Sequence, residues 1–282
     1  MRFDERGVFE RFPYRGSGIF IDVGANRGHF VAGFADRGVL VLAFEPHPEM
    51  HGKLLERFAG CGNVEVVRKA VADQPGELTF YASEEHPGIH SLAAFHPTHR
   101  PIGTVDVTTL DRELRDRGIA DVRALKIDVE GADFLVLQGF DFERFRPELV
   151  MVEFMDERSR KHFGYTHHDM AAYMSGFGYS SWVSEWTPLV EYAGAEGAGE
   201  SGPEWLGLRR YDSARRPAHG NLFFVSPADV RSLRRAALAT ALSESGAPFV
   251  EATRSKLRAV PGLRRAVRAV RGRSPRHRGL RR

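Results

Sequence analysis

The chain has 282 residues, 42% hydrophobic and 27% charged, which is ordinary for a soluble protein and long enough to bury a real core. A single cysteine, Cys61, excludes an intrachain disulfide and argues against a cysteine-based metal site. The net charge of +3 is unevenly placed: residues 254–282 hold 12 of the 40 Lys and Arg and none of the 37 acids, leaving 28 basic against 37 acidic groups before them.

The basic pI therefore belongs to the tail and says nothing basic about the body. Residues 1–18 read as a lead-in. Their start, Met1-Arg2-Phe3-Asp4-Glu5-Arg6, lacks the apolar run of a signal peptide, and no 18-residue apolar stretch follows. The expectation is a cytoplasmic protein.

Ile19-Phe20-Ile21-Asp22-Val23 is a short apolar strand with an acid near its carboxyl end. Gly24-Ala25-Asn26-Arg27-Gly28 then makes a glycine-bracketed turn into a helix. Gly24 allows a sharp turn and close backbone approach by a ligand, and the helix start offers unpaired N–H groups. A second strand, Val39 to Phe44, ends in Glu45-Pro46, 21 residues after Gly24, where doubly wound folds place the acid that holds a ribose diol. The turn is not G-x-G-x-x-G, so a pyrophosphate lacks its backbone cradle. S-adenosylmethionine needs none: it offers an amino acid group, a sulfonium and a ribose. Asp22 could face its ammonium and Glu45 its two ribose hydroxyls. An ordinary βαβ crossover with a surface acid is the competing reading.

Pro48 to Ala59 is predicted as a helix with Pro48 in its first turn and Met50, Leu54, Leu55 and Phe58 on one face. Val64 to Val67 is a third strand, and Val71 lies just past it, at the rim where a nucleoside base would rest. Glu77 to Tyr81 and Thr104 to Leu110 alternate and are predicted to pair as a hairpin added to the sheet. Between them lie His86, His90, His96 and His99. Their spacings do not make H-x-x-x-H on a helix, and no cysteine completes a zinc set, so solvated loop histidines are expected. A helix over Asp111 to Gly118 follows.

Val122 to Asp133 is the second informative stretch. Lys126, Asp128 and Glu130 interrupt an apolar run at period two, which places all three on one side if the strand persists. Burying three charges at a strand end is costly unless each has a partner or a ligand. Structural ion pairing is the plainer alternative.

FIDVGANRGHF, AFEPHPE, TTLD and LKIDVEGADFLVLQGF, in this order and spacing over approximately Ile19 to Phe154, resemble the FkbM family of S-adenosylmethionine-dependent methyltransferases. The resemblance implies a class I α/β fold: a mostly parallel, Rossmann-like seven-stranded sheet with an antiparallel edge strand and helices on both faces. It implies O-methylation of a hydroxyl in natural-product tailoring or glycan decoration. It carries cofactor contacts onto Asp22, Gly24, Ala25, Asn26, Gly28 and Glu45, with Pro46 and Val71 beside them, and a site role onto Asp128 and Glu130. Arg27 and His29 depart from the expected apolar and small or acidic residues, which touches the methionine end of the site.

Leu149 to Phe154 is the next strand, and Glu153 near its end would neighbour Asp128 on the ligand face of the sheet. Two carboxylates invite a divalent ion but show no third ligand, so none is assigned. His168 to Phe177 is a helix, Tyr179 to Val183 a strand, and Asn221 to Val225 the closing strand of a methyltransferase domain over 19–226. Residues 184–220, rich in Gly, Pro and Ser, read as a flexible insert in which Trp186, Trp205 and Tyr211 suit a lid over the acceptor. Residues 227–253 should be a C-terminal helix. The tail, 254–282, sets Leu257, Val260, Leu263, Val267 and Val270 among arginines, an amphipathic pattern suited to anionic membrane or an acidic partner.

The general base of the transfer is expected to be Asp128, then Glu153, then His90. The acceptor is expected to be a small molecule or glycan, with no specific nucleic acid. An RNA methyltransferase using the tail, a nicotinamide oxidoreductase on the same turn and a non-catalytic binding module are the alternatives. The acidic body opposes the first, and the missing glycine and absent Tyr-Lys or Cys-His pairing oppose the second.

Overall fold

The computed structural model describes residues 3–86, 88–188 and 203–244. Five strands run parallel: β1 (Ile19–Val23), β2 (Val41–Phe44), β7 (Val122–Ile127) and β8 (Leu149–Met155), largely buried, and β3 (Val64–Val67), half-exposed at the edge. β9 (Ser180–Trp186), β10 (Trp205–Arg210) and β11 (His219–Val225) complete an 8-stranded sheet of order β10-β9-β11-β8-β7-β1-β2-β3. The antiparallel strand β11 is inserted between β8 and β9, and β10 adds one strand beyond the seven expected.

Alternation along β1 explains the two-sided core. Ile19, Ile21 and Val23 face one hydrophobic layer, and Phe20 faces the other. The first layer packs under α4 (Leu110–Asp116), α5 (Asp133–Gln138), α6 (Asp156–Phe163) and α7 (His167–Gly176). The second packs under α1 (Arg6–Arg11), α2 (His29–Ala35), α3 (Pro48–Arg57) and α8 (Val230–Glu244). Thr109 caps α4 by accepting from the Arg112 N–H at 3.2 Å, so that helix begins before Asp111.

The lead-in is part of this core. Phe9 of α1 is fully buried edge-on to Phe20 and Phe34, and Arg15 donates to both Asp229 oxygens at 2.9 and 2.7 Å. The expected hairpin forms, but as a separate sheet of order β4-β6-β5, from β4 (Ala70–Val71), β5 (Gly76–Ala82) and β6 (Arg100–Thr108).

Parts of the supposed insert, at 184–186, 205–210 and 219–220, are strand. Trp205 stacks on Phe3 at 3.9 Å and donates to Ser184 Oγ at 3.0 Å, while Trp186 donates to the buried Glu5 carboxylate at 2.7 Å. Tyr211 shares a 2.7 Å hydrogen bond with His168. In this structure these three aromatics fasten β9, β10 and the turn after β10 to their neighbours, as aromatic residues on a half-buried sheet surface do. Residues 189–202 and 245–282, including the basic tail, lie outside the described residues. Among the described residues no helix is long and apolar enough to cross a membrane.

Candidate active site

β1 ends in a turn that only glycine can make: Gly24 has φ +76°, and a Cβ there would sit 1.9 Å from the carbonyl oxygen of Asp128. The exits of β1 and β7 therefore touch. Asn26 follows, also in the left-handed region at φ 47°, and its N–H donates to Glu45 Oε2 at 2.8 Å. The His47 N–H donates to Glu45 Oε1 at 2.9 Å. Two backbone donors thus aim a buried carboxylate from the end of β2, and burial still raises its pKa to about 7.

A cleft open to solvent lies at these strand ends. Gly24, Asn26, Glu45, Pro46, Val71, His90, Asp128 and Glu130 line it, together with Phe44, Phe80 and Leu92. A mostly apolar pocket with a few convergent polar groups is the ordinary form of a cofactor site.

Four expected site residues lie elsewhere. Asp22 is fully buried beneath the turn, 3.1 Å from Lys126 Nζ, so it faces a chain cation rather than a ligand. Burial opposes the charge on Lys126, but the carboxylates of Asp22 and Asp128 outweigh it and raise its pKa. The same ammonium donates to the Gly24 carbonyl at 2.7 Å, tying the turn down. Ala25 is buried in the core with its N–H on the Phe44 carbonyl. Gly28, at φ +73°, lets α2 start against Phe58 and Leu54. Glu153 pairs with Arg158, outside the cleft lining.

β7 stops at Ile127, so the period-two pattern of charges does not continue as strand. Asp128 sits on the following turn with its side chain 37% exposed, 3.7 Å from Lys126. Glu130 is left-handed at φ 58°, and burial, ahead of its neighbours' charges, raises its pKa to about 7. Glu153 is pushed well above the ordinary range, first by burial and next by Glu130. Oxygens of Asp128, Glu130 and Glu153 lie within 4.8 Å of one another, a spacing that suits a shared cation. The cation beside them is the Arg158 guanidinium, which bonds both Glu130 and Glu153.

Of the four loop histidines only His99 is buried, and His86, His90 and His96 are half-buried. His99 is buried against Phe95. His90 stacks on His47 at 4.1 Å, and burial followed by His47 lowers its pKa to about 4. None of them belongs to the cation-sized group among the described residues.

Sequence reasoning did not find Lys69, Phe80 and Leu92 in the cleft wall, nor Arg158 behind it. Each comes from a segment distant in the chain, and an arginine in the first turns of a polar helix reads as solvated.

A mostly parallel sheet with the antiparallel strand β11 inserted near its edge, and a ligand cleft at the β1–β2–β7 ends, define a class I methyltransferase. The chain belongs to the FkbM methyltransferase family, whose model, described as the methyltransferase FkbM domain, matches residues 22–181. It is similar to Methyltransferase 1 of Beauveria bassiana (strain ARSEF 2860), 28% identical over 171 residues covering 52% of this chain and 68% of the relative. Among solved structures it resembles an rRNA methylase from Streptococcus thermophilus, with TM-score 0.39 and 11% identity over 79% of this chain and 93% of the other. It also resembles magnesium protoporphyrin IX methyltransferase from Synechocystis PCC 6803 with bound SAM, with TM-score 0.35 and 12% identity over 74% and 69%. At such TM-scores no residue role carries across.

The cofactor is S-adenosylmethionine, and the cleft fits it. Glu45 offers a buried acceptor pair for a diol, Val71, Phe80 and Leu92 offer apolar wall for a base, and Gly24 and Asn26 complete the lining at the β1 turn. The lining cation, Lys69, is engaged by Glu113 at 2.9 Å and so makes no phosphate cradle.

Proposed function

We propose that this methyltransferase is an O-methyltransferase acting on a hydroxyl of a small molecule or glycan. The observation that carries the reading is the placement of the Asp128 and Glu130 carboxylates on the wall of the cleft that Glu45 also lines. The cofactor supplies an electrophilic methyl group when bound. Glu45 accepts from its ribose hydroxyls, and the apolar wall of Val71, Phe80 and Leu92 excludes water from the base.

Positioning of the acceptor oxygen is the larger contribution, worth roughly 7–11 kcal/mol for a well-aligned pair. Asp128, the most exposed carboxylate of its group, accepts the hydroxyl proton, a role worth about 10²–10⁴-fold. His90, lowered to about 4, is neutral at physiological pH but a weak base, and Glu153 serves through Arg158 rather than by contact. The carboxylates at this wall favour neutral polyhydroxyl acceptors over a phosphate backbone.

The test is methyl transfer from tritiated S-adenosylmethionine to a panel of polyols, glycosides and macrolide alcohols, beside total RNA. Label on an acceptor oxygen supports the reading. Label on RNA or on nitrogen alone overturns it.

A further inference from the structure

Glu130 holds a conformation that L-residues seldom adopt, and three separate elements hold it there. Its φ is 58° and that of Gly131 is 114°. Asp133 accepts from the N–H groups of Val129 and Gly131 at 3.0 and 2.9 Å, one on each side of it. Ser91 Oγ donates to the Glu130 carbonyl at 2.9 Å, and the Tyr165 hydroxyl donates to the Gly131 carbonyl at 2.6 Å. A strained backbone this thoroughly held, at the edge of a ligand cleft, points to a role for its side chain.

That side chain is gripped by Arg158, in α6. The guanidinium is 4% exposed, bonds Glu130 and Glu153, and lies over the Phe95 ring at 4.9 Å. A Cβ on Gly131 would meet Arg158 Nε at 3.3 Å, so the glycine lets the turn close onto the arginine. One residue thus joins the turn after β7, the end of β8 and the loop that carries Phe95.

We propose that Arg158 is a positioning residue: held between Glu130 and Glu153, it locks the left-handed turn that presents Asp128 and Glu130 to the cleft. A guanidinium suits this task because its planar fork bonds two carboxylates at once, which an ammonium does less well. The other groups whose charge bears on this cluster are Asp128, Asp133 and Lys126 on the β7 side, and Tyr165 and His162 after and within α6. His99 and His219 face it from the loop and from β11. Burial, and after it the neighbouring carboxylates, push the two glutamates up, and Arg158 pulls both back. The proposal rests on the methyl-transfer reading for the meaning of the cleft, and its test does not need an acceptor.

The experiment is carboxyl ¹³C NMR titration of the full-length chain, with amide exchange at Val129 and Gly131, in R158M and R158K. R158M keeps the apolar stem and removes the charge. The expected result is that both Glu130 and Glu153 titrate at least one pH unit higher than in the unaltered chain. The Val129 and Gly131 amides should exchange at least tenfold faster. In R158K one glutamate should return toward its original midpoint, a rescue that packing alone does not produce. Unchanged midpoints and exchange in R158M overturn the proposal. If R158M does not fold, R158K decides: an upward shift of one glutamate supports the clamp, and no shift in either refutes it. Calorimetry of S-adenosylhomocysteine with the unaltered chain separates the two claims. Absence of binding there sinks the methyl-transfer reading and leaves the titration result standing.

Discussion

Replacing Glu45 by Gln tests the cofactor site at its most exactingly placed side chain. Each Glu45 oxygen already takes one backbone N–H, from Asn26 at 2.8 Å and from His47 at 2.9 Å. A carboxamide presents one oxygen and one NH₂, so one of those N–H groups faces another donor, at a cost of about 1–3 kcal/mol that does not vary with pH. The charge has a separate, pH-dependent signature. Folding raises this carboxyl from 4.5 to about 7, mainly by burial. Its contribution to stability is therefore fully present below pH 4.5 and is lost as pH rises through 7, in total about 3 kcal/mol. Ribose hydroxyls donate to the ionised form, so cofactor affinity should do the reverse. It should rise by up to tenfold per pH unit to a plateau above 7. Two charge-assisted hydrogen bonds lost at pH 8 amount to about 3 kcal/mol, roughly 100-fold in Kd. Isothermal calorimetry with S-adenosylhomocysteine and thermal denaturation, both from pH 5 to 8.5, read the two effects in wild type and E45Q. Glu130 and Asp133, raised to about 7 and about 6, slope stability the same way in both proteins and cancel in the difference. Equal affinity at pH 8 in both proteins, or an unchanged pH slope in E45Q, would refute the assignment.

Asp128→Asn should leave S-adenosylhomocysteine affinity within about threefold and lower kcat by about 10²–10⁴-fold, measured with the acceptor that the tritium screen returns. Phe9→Ala should cost about 3–5 kcal/mol in chemical denaturation, because its ring fills a fully buried site between Phe20 and Phe34. Trp205→Ala should lower stability through loss of its stack on Phe3 while leaving acceptor KM unchanged; a selective rise in KM would return this residue to a lid. Truncation after residue 253 keeps α8, so the shortened chain should fold and bind cofactor. The full-length chain, with its 12 added Lys and Arg, should sediment with anionic vesicles at low salt and release as salt rises. Equal sedimentation of both would refute the membrane role.

The parts of the fold legible in the sequence are those with local causes. β1, β2 and β8 are apolar runs that stay buried on both faces, and Pro48 opens α3 where its missing N–H costs nothing. α1, only Arg6–Arg11, is too short and charged to show a helical stripe, although its Val8 and Phe9 are wholly buried. β10 was hidden because Trp205-Leu206-Gly207-Leu208 follows a stretch of loop composition and depends on pairing with β9.

The site divides the same way. Gly24, Asn26, Glu45, Asp128 and Glu130 follow directly on strand ends, so chain order alone brings them to one cleft. Asp22 misleads because the strand-end position that suggested a ligand-facing acid also sets it beside Lys126, its register partner on β7. Arg158 has no local signal: its meaning depends on Glu130 and Glu153, which three-dimensional packing brings to it from two other elements.

The most direct measurement of the central claim is a crystal structure of the chain with S-adenosylhomocysteine. The ligand should lie in the cleft with its ribose hydroxyls on Glu45, its adenine beside Val71 and its thioether toward Asp128 and Glu130. A nucleoside bound elsewhere, or one whose sulfur points away from those two carboxylates, would contradict it.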